Sequence, residues 1–422
     1  MAAAAREGEG EVRRDMWGQE YRTASGGCAA ALDEHYAHTM SFGRGRGHAV
    51  LRAAAADPRC ALASSLAAHH VAPRDPARAA AFLAAAADNL GAATEYERAV
   101  FRALSALIGE ERDEQVAIER HFELLKEFPR DLMSLKRAQL ICFYMGRPDT
   151  SLKFVEQVLP ENQDQNYIYG MLAFPLLELG RMDDAEKAAR KGLAINKNDC
   201  WLTHNWWHVA VCYLEGEFPT SKVLEIYDHN FMTELEKSDC EAAEVYLNAL
   251  GLLLRLHIRG QVDLAKDRLA ALLDALTNEK IWHVEWLLDL LVLWALSSMG
   301  EITRADNLLE SLRSRVSSMD TKKQQVMQKA IQLAEAVYEY GKGEHKKVFD
   351  ILGPDFDALS CKELMQFGLY TAIEVLEKQI RKREGAPFLW RLLEKAYSLH
   401  GRAADASVAS EKANALQAAY SR

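Results

Sequence analysis

The sequence predicts an all-α protein, a right-handed α-solenoid of consecutive helical hairpins. Two observations carry the prediction. In residues 167–198 an apolar-periodic segment, a tight Gly180-Arg-Met182 turn and a second periodic segment follow one another, with Tyr169, Leu172, Ala173 and Leu176 at the three-and-four spacing of one helix face. The turn then recurs: Gly146, Gly180, Gly216, Gly260, Gly300 and Gly341 are separated by 34, 36, 44, 40 and 41 residues, intervals that suit helix-pair repeats. Five residues beyond these glycines stand Ser151, Ala185, Ser221, Ala265, Ala305 and Lys346, and Ala406 follows Gly401 in the same phase. Six of the seven are small, which lets the second helix of a hairpin press closely on the first.

Within the 167–198 unit, Gly180 supplies a helix-ending residue that tolerates positive φ, and Asp183 an N-cap whose charge suits the next helix dipole. Pro175 points to a local kink in the first helix. Ala185, Ala189 and Gly192 share one face of the second. With Tyr169, Leu172-Ala173, Gly180, Ala185 and Ala189 in these places, the unit resembles the tetratricopeptide repeat; Lys197 stands where that repeat usually has proline.

At 422 residues with 49% hydrophobic content, length alone suggests two or three domains. A solenoid overrides that, because added length adds repeats to one continuous core. The expected organisation is a disordered leader over residues 1–20, then a continuous solenoid over 21–422, clearest at 131–352 and ending in closing helices at 361–422. The first eleven residues are too acidic for a transit peptide and their apolar stretch too short for a signal peptide. The apolar run Leu290-Leu-Val-Leu-Trp-Ala-Leu296 falls far short of the ~20 residues of a membrane span. A formal charge of −10, from 51 Lys+Arg against 61 Asp+Glu, argues against nucleic acid and anionic membranes as partners. Seven scattered cysteines without a Cys-x-x-Cys pair point to reduced thiols and a cytoplasmic protein.

Taken in order, residues 25–56 read as a first hairpin closed by Asp57-Pro58, with Gly43-Arg-Gly-Arg-Gly47 as its turn. That glycine tract has no preceding strand and only two arginines, which favours an inter-helix turn over a phosphate loop or an RNA-binding tract. Alanine-rich helices follow at 61–70 and 75–90, with Pro76 in a first helical turn. Thr94-Glu-Tyr-Glu97 has the spacing of a capping box. Helices at 115–128, 132–145 and 149–159 precede the central unit, and pairs at 202–214/221–231, 241–258/262–276, 282–299/303–316 and 324–340/344–352 follow it.

Four stretches extend the resemblance: Ala53-Ala-Ala-Ala-Asp-Pro58; Phe128-Pro-Arg-Asp-Leu-Met-Ser-Leu-Lys136; Tyr169-Gly-Met-Leu-Ala-Phe174 with Ala185-Glu-Lys-Ala188; and His204-Asn-Trp-Trp-His208 with Ile226-Tyr-Asp228. Through them the chain resembles the tetratricopeptide repeat protein 38 family along nearly its whole length. The resemblance implies an all-helical repeat protein with no established activity. It also implies that about one hairpin, ~34 residues on the repeat's scale, is absent between Trp201 and Leu202, as in a shortened form of a longer protein.

No stretch carries a reaction's full set of residues, and neither a cofactor nor a metal is expected. There is no Gly-x-Ser-x-Gly elbow, no Walker loop and no paired catalytic carboxylates. The expected function is that of a non-catalytic scaffold, binding an unidentified protein or peptide, or self-associating. First helices line the inner face of a solenoid, so the candidate partner-binding residues are Tyr167, Gly170, Phe174, His204, Trp206, His208 and Tyr213, with Trp282 further on. The same side chains equally suit inter-repeat core, and both readings stand at this level. His204 and His208, four apart, would set two imidazoles on one helix face. Zinc takes four ligands, so packing against Trp206 and Trp207 competes with a metal- or small-molecule-dependent function there. Asp228 is either a ligand or general base, or a helix-terminal acid.

Overall fold

The computed structural model describes residues 10–41, 43, 45–73, 75–195, 201–216, 218–235, 242–276, 279–319, 321–353, 376–377, 379–381, 383–399 and 401–420. Residue contacts gather the chain into two compact units, one from 1–143, 147–176 and 187–202, the other from 144–146, 177–186 and 203–422.

The first unit opens with a β-hairpin, β1 (Glu11–Arg14) and β2 (Glu20–Thr23), which takes up residues 11–20 of the expected leader; residues 1–9 of it lie outside the described residues. Val12 faces Arg22 and Arg14 faces Glu20 across the antiparallel register. Burial orders a segment that its charged composition disguises. Trp17 and Tyr21 are buried, the Trp17 ring lies 5.1 Å from that of Tyr36, and the Arg22 amide donates to Glu97, 75 residues on.

Helices then pair as hairpins: α1 (Gly26–Met40) with α2 (Arg46–Ala56), α3 (Ala61–Val71) with α4 (Pro76–Asp88), and α5 (Glu95–Ile108) with α6 (Glu114–Glu127). They are followed by α7 (Leu132–Tyr144) and α8 (Pro148–Val158). α3 packs on α5 and α6 on α8, so first helices stack on first and second on second, as in a repeat array. The capping box at Thr94 is complete, and Glu97 in it also accepts the Arg22 and Leu62 amides, so that one buried carboxylate ties β2, α3 and α5 together. Gly43 and Gly45 lie in the expected turn between α1 and α2, where a Cβ on Gly45 would stand 2.6 Å from the His38 ring.

α9 (Asn166–Glu178), which runs through Pro175, and α10 (Met182–Ile195) are divided between the two units, as are the end of α7 and the start of α11. The second unit continues with α11 (Trp201–Glu215), in which Trp201 and Leu202 are consecutive helical residues, and α12 (Thr220–Ile226). A π-helical turn at Tyr227–Phe231 leads into α13 (Met232–Leu235). Hairpins α14 (Ala242–Ile258) with α15 (Val262–Leu276), α16 (Trp286–Ser298) with α17 (Ile302–Ser317), and α18 (Thr321–Gly341) with α19 (His345–Leu352) stack through α14, α16 and α18. α20 (Pro387–Leu399) and α21 (Ala403–Tyr420) close the unit; of the expected helix over 361–383, residues 376–377 and 379–381 are helical and 361–375, 378 and 382 lie outside the described residues. The apolar run expected to be too short for a membrane forms α16, whose residues from Leu288 to Ser297 are all buried because neighbours cover every face. Among the described residues no helix is long and apolar enough to cross a membrane.

The turn glycines Gly146, Gly180, Gly260, Gly300 and Gly401 take positive φ, between 62° and 83°. Two expected turns differ. Gly341 is the last residue of α18, pressed against Ser297 and Trp294 of α16, and the positive-φ residue is Gly343. Counting from Gly343, the fifth residue is buried Val348, while Lys346 is exposed. Gly216 instead lies against the Tyr420 ring, and exposed Ser221 yields its inward place to Val223. Ser151, Ala185, Ala265, Ala305 and Ala406 are buried, as small residues at a hairpin contact should be.

Candidate functional site

α11 brings His204, Trp207 and His208 into one cluster. The His204 and His208 rings meet nearly at right angles with centroids 4.4 Å apart, and Trp207 lies parallel to His204 at 6.1 Å and edge-on to His208 at 5.4 Å. From α14 the Arg255 guanidinium sits over the Trp207 ring at 5.1 Å. Burial, with His204 alongside, holds the His208 imidazole well below its usual pKa, so it is neutral. Neutral imidazoles suit metals, but among the described residues no group of three or more His, Cys, Asp or Glu is placed to hold one.

The expected partner-binding residues divide between the two units. In the first, Tyr167 and Phe174 are half-buried, Phe174 lying 5.6 Å from Phe143, and Gly170 is buried. In the second, His204 and Trp206 are half-buried, and Tyr213 stacks on Phe218 at 4.3 Å, which in turn meets Tyr420. Trp207, adjacent to Trp206, is the indole that packs with the histidines. Trp282 is core: it follows a 3-10 turn between α15 and α16, is buried, and donates its indole N–H to the Leu276 carbonyl. Asp228 makes a two-point ion pair with Arg268, at 2.9 and 2.6 Å, which commits its carboxylate.

Two polar groupings had no sequence signal, because each depends on at least one partner from another helix. In the first unit Arg137 is buried, donates from Nη2 to Ser134 Oγ at 2.7 Å, and leaves its buried Nε without a hydrogen bond. Burial first, then the nearby Arg137 charge, pushes His35 and His121 down to about 4 and His69 to about 3. In the second unit, His283 holds a positive φ of 60°, its amide donating to buried Asp289 at 2.8 Å and its Nε2 meeting Ser311 Oγ at 2.7 Å. These bonds tether the segment before α16 to α16 and α17. Burial raises the Asp289 carboxyl to about 7.

Helical hairpins, first-on-first stacking and positive-φ turn glycines together define a tetratricopeptide-like helical-repeat protein. No protein-family profile matches the chain. Among solved structures, the human IFIT1 dimer with m7Gppp-AAAA shares 15% identity over 93% of this chain and 91% of its own, at a TM-score of 0.42. Naa15/Naa10 bound to HypK-THB shares 14% over 92% of this chain and 63% of its own, at 0.29. The likeness is loose, and the fold assignment rests on the helices themselves.

Proposed function

We propose that the chain is a non-catalytic scaffold that binds a peptide or partner helix, with α11 as a contact face. The observation that carries this reading is the split on α11, where Trp206 and His204 stay half-exposed while Trp207 and His208 beside them are buried. A buried pair fixes the helix, and a half-exposed tryptophan offers the rigid aromatic anchor that interfaces favour. Tyr167 and Phe174 offer aromatic surface of the same kind on α9, with buried Gly170 between them. The net charge of −10 favours a protein partner over nucleic acid or an anionic membrane, and reduced thiols suit a cytoplasmic setting, with self-association as the simplest alternative occupant. The four stretches named in the sequence support, on this reading, a kinship with the tetratricopeptide repeat protein 38 family.

The test is Trp206→Ala. Loss of partner capture with unchanged helical circular dichroism supports the contact face; loss of helicity makes Trp206 core and ends the assignment. The 4.4 Å approach of His204 and His208 favours one second reading, a metal- or small-molecule-dependent function at that pair. Stoichiometric metal in the purified protein, lost on His204→Ala with His208→Ala, would select it.

A further inference from the structure

Three successive first helices of the second unit end on a charged residue beside the turn glycine. Glu178 closes α9 two residues before Gly180, Glu215 closes α11 immediately before Gly216, and Arg259 follows α14 immediately before Gly260. Glu178 and Glu215 are buried. What covers them is a short piece of the same chain, residues 383–388, that leads into α20.

Its contacts are those by which proteins read peptides. Arg383 donates from Nη2 to Glu178 Oε2 at 3.3 Å. The backbone N–H of Phe388 donates to Glu215 Oε2 at 3.1 Å, while Arg259 holds the other oxygen of the same carboxylate. The Arg259 guanidinium lies 3.7 Å from the Phe388 ring centroid, a cation on an aromatic face. Between these two anchors Gly385 passes Gly180 so closely that a Cβ on Gly180 would stand 2.7 Å from the Gly385 carbonyl carbon and the Ala386 nitrogen. Ala386 and Pro387 are buried in the same approach. Helix C-termini carry partial negative charge, so the ends of α9 and α11 reinforce their glutamates in attracting a cation.

We propose that this rim of helix ends is a peptide slot, selective for a segment with a cationic residue followed five positions later by an aromatic one, with glycine between them, and that residues 383–388 fill it in cis. A partner of that chemistry competes with the chain's own segment for Glu178, Glu215 and Arg259. The proposal rests on the scaffold reading and adds a partner class and a second contact face, at the C-terminal ends of α9, α11 and α14 and nine residues or more along the chain from Trp206.

The experiment uses the full chain and a fluorescent synthetic peptide spanning residues 381–390. A tethered ligand acts at high effective concentration, so the peptide should bind the Arg383→Ala, Phe388→Ala chain at least about tenfold more tightly than the wild type. Adding Glu178→Gln and Glu215→Gln should abolish that binding. Equal affinity for both chains, no binding to the double variant, or binding that survives loss of both glutamates overturns the proposal. Should the double variant fail to fold, hydrogen exchange on the wild type decides. Saturating peptide must speed exchange of the Phe388 amide if the slot is shared, and unchanged protection refutes it. The Trp206→Ala chain separates the two claims. If it still binds the peptide once the cis segment is weakened, the slot stands whatever becomes of the Trp206 face; if the Trp206 face captures a partner while the peptide fails, only the slot falls.

Discussion

Tyr96 of α5 donates its hydroxyl hydrogen to Asp131 Oδ2 at 3.0 Å, a buried bond across 35 residues. The other Asp131 oxygen accepts the Ser134 amide at 2.9 Å, so one carboxylate starts α7 and holds it to α5. Tyr96→Phe keeps the ring and strips the donor from a buried acceptor. Such a loss costs about 1–3 kcal/mol, and a lower midpoint of urea unfolding should report it.

Stability should depend on pH through His121, which donates Nδ1–H to the Ala117 carbonyl at 2.7 Å and is held to about 4 by burial and by Arg137. The unfolded imidazole takes up a proton near pH 6.5, whereas the folded one resists until about pH 4. Its contribution is therefore whole above pH 6.5 and is lost as pH falls toward 4, at roughly 1 kcal/mol per pH unit. Asp15, raised to about 7 by burial, works in the opposite sense, gaining stability as pH falls through 7. That opposing term is common to both proteins compared, so the wild-type curve should fall more steeply than that of His121→Gln between pH 6.5 and 4.5. Parallel curves would show that His121 does not carry the dependence.

Two helical glycines should respond to alanine with opposite signs. A Cβ on Gly251 of α14 meets only the Arg255 guanidinium at 3.5 Å, so Gly251→Ala should stabilise by about 0.5–1 kcal/mol through helix propensity. A Cβ on Gly341 would overlap Ser297 Oγ and stand 2.9 Å from the Trp294 carbonyl. Gly341→Ala should destabilise by about 1–3 kcal/mol, as overpacking does, with Ser297→Ala restoring part of it. Thermal melts of the three variants measure both signs.

A dispensable leader and a structural hairpin make different predictions for truncation. Thr23 Oγ1 donates to buried Asp57 at 2.7 Å and the Arg22 amide to Glu97, so removing residues 1–23 takes one donor from each carboxylate and uncovers the Tyr36 ring. The truncated chain should melt several degrees lower, on the order of 2–4 °C per kcal/mol lost. An unchanged melting temperature would return the segment to the status of a leader.

Local signals in the sequence determined the hairpins themselves. Apolar spacing at Tyr169, Leu172 and Leu176, positive-φ glycines at 146, 180, 260 and 300, and the Thr94–Glu97 box each act within a few residues, where periodicity and caps are legible. Tertiary structure alone decided what depends on distant partners. Glu11–Arg14 is too short and charged to read as a strand, and it orders beside Trp17 and Tyr21, which core packing buries. Gly341 looks like a turn in sequence, and only the approach of α16 makes it a contact. The same holds for function: Trp206 and Trp207 are identical side chains in adjacent positions, and the 100° step of the helix, set against α14, left one half-exposed and buried the other. The pairing of Glu178 with Arg383, 205 residues apart, has no trace in either local sequence, because it exists only where the chain returns upon itself.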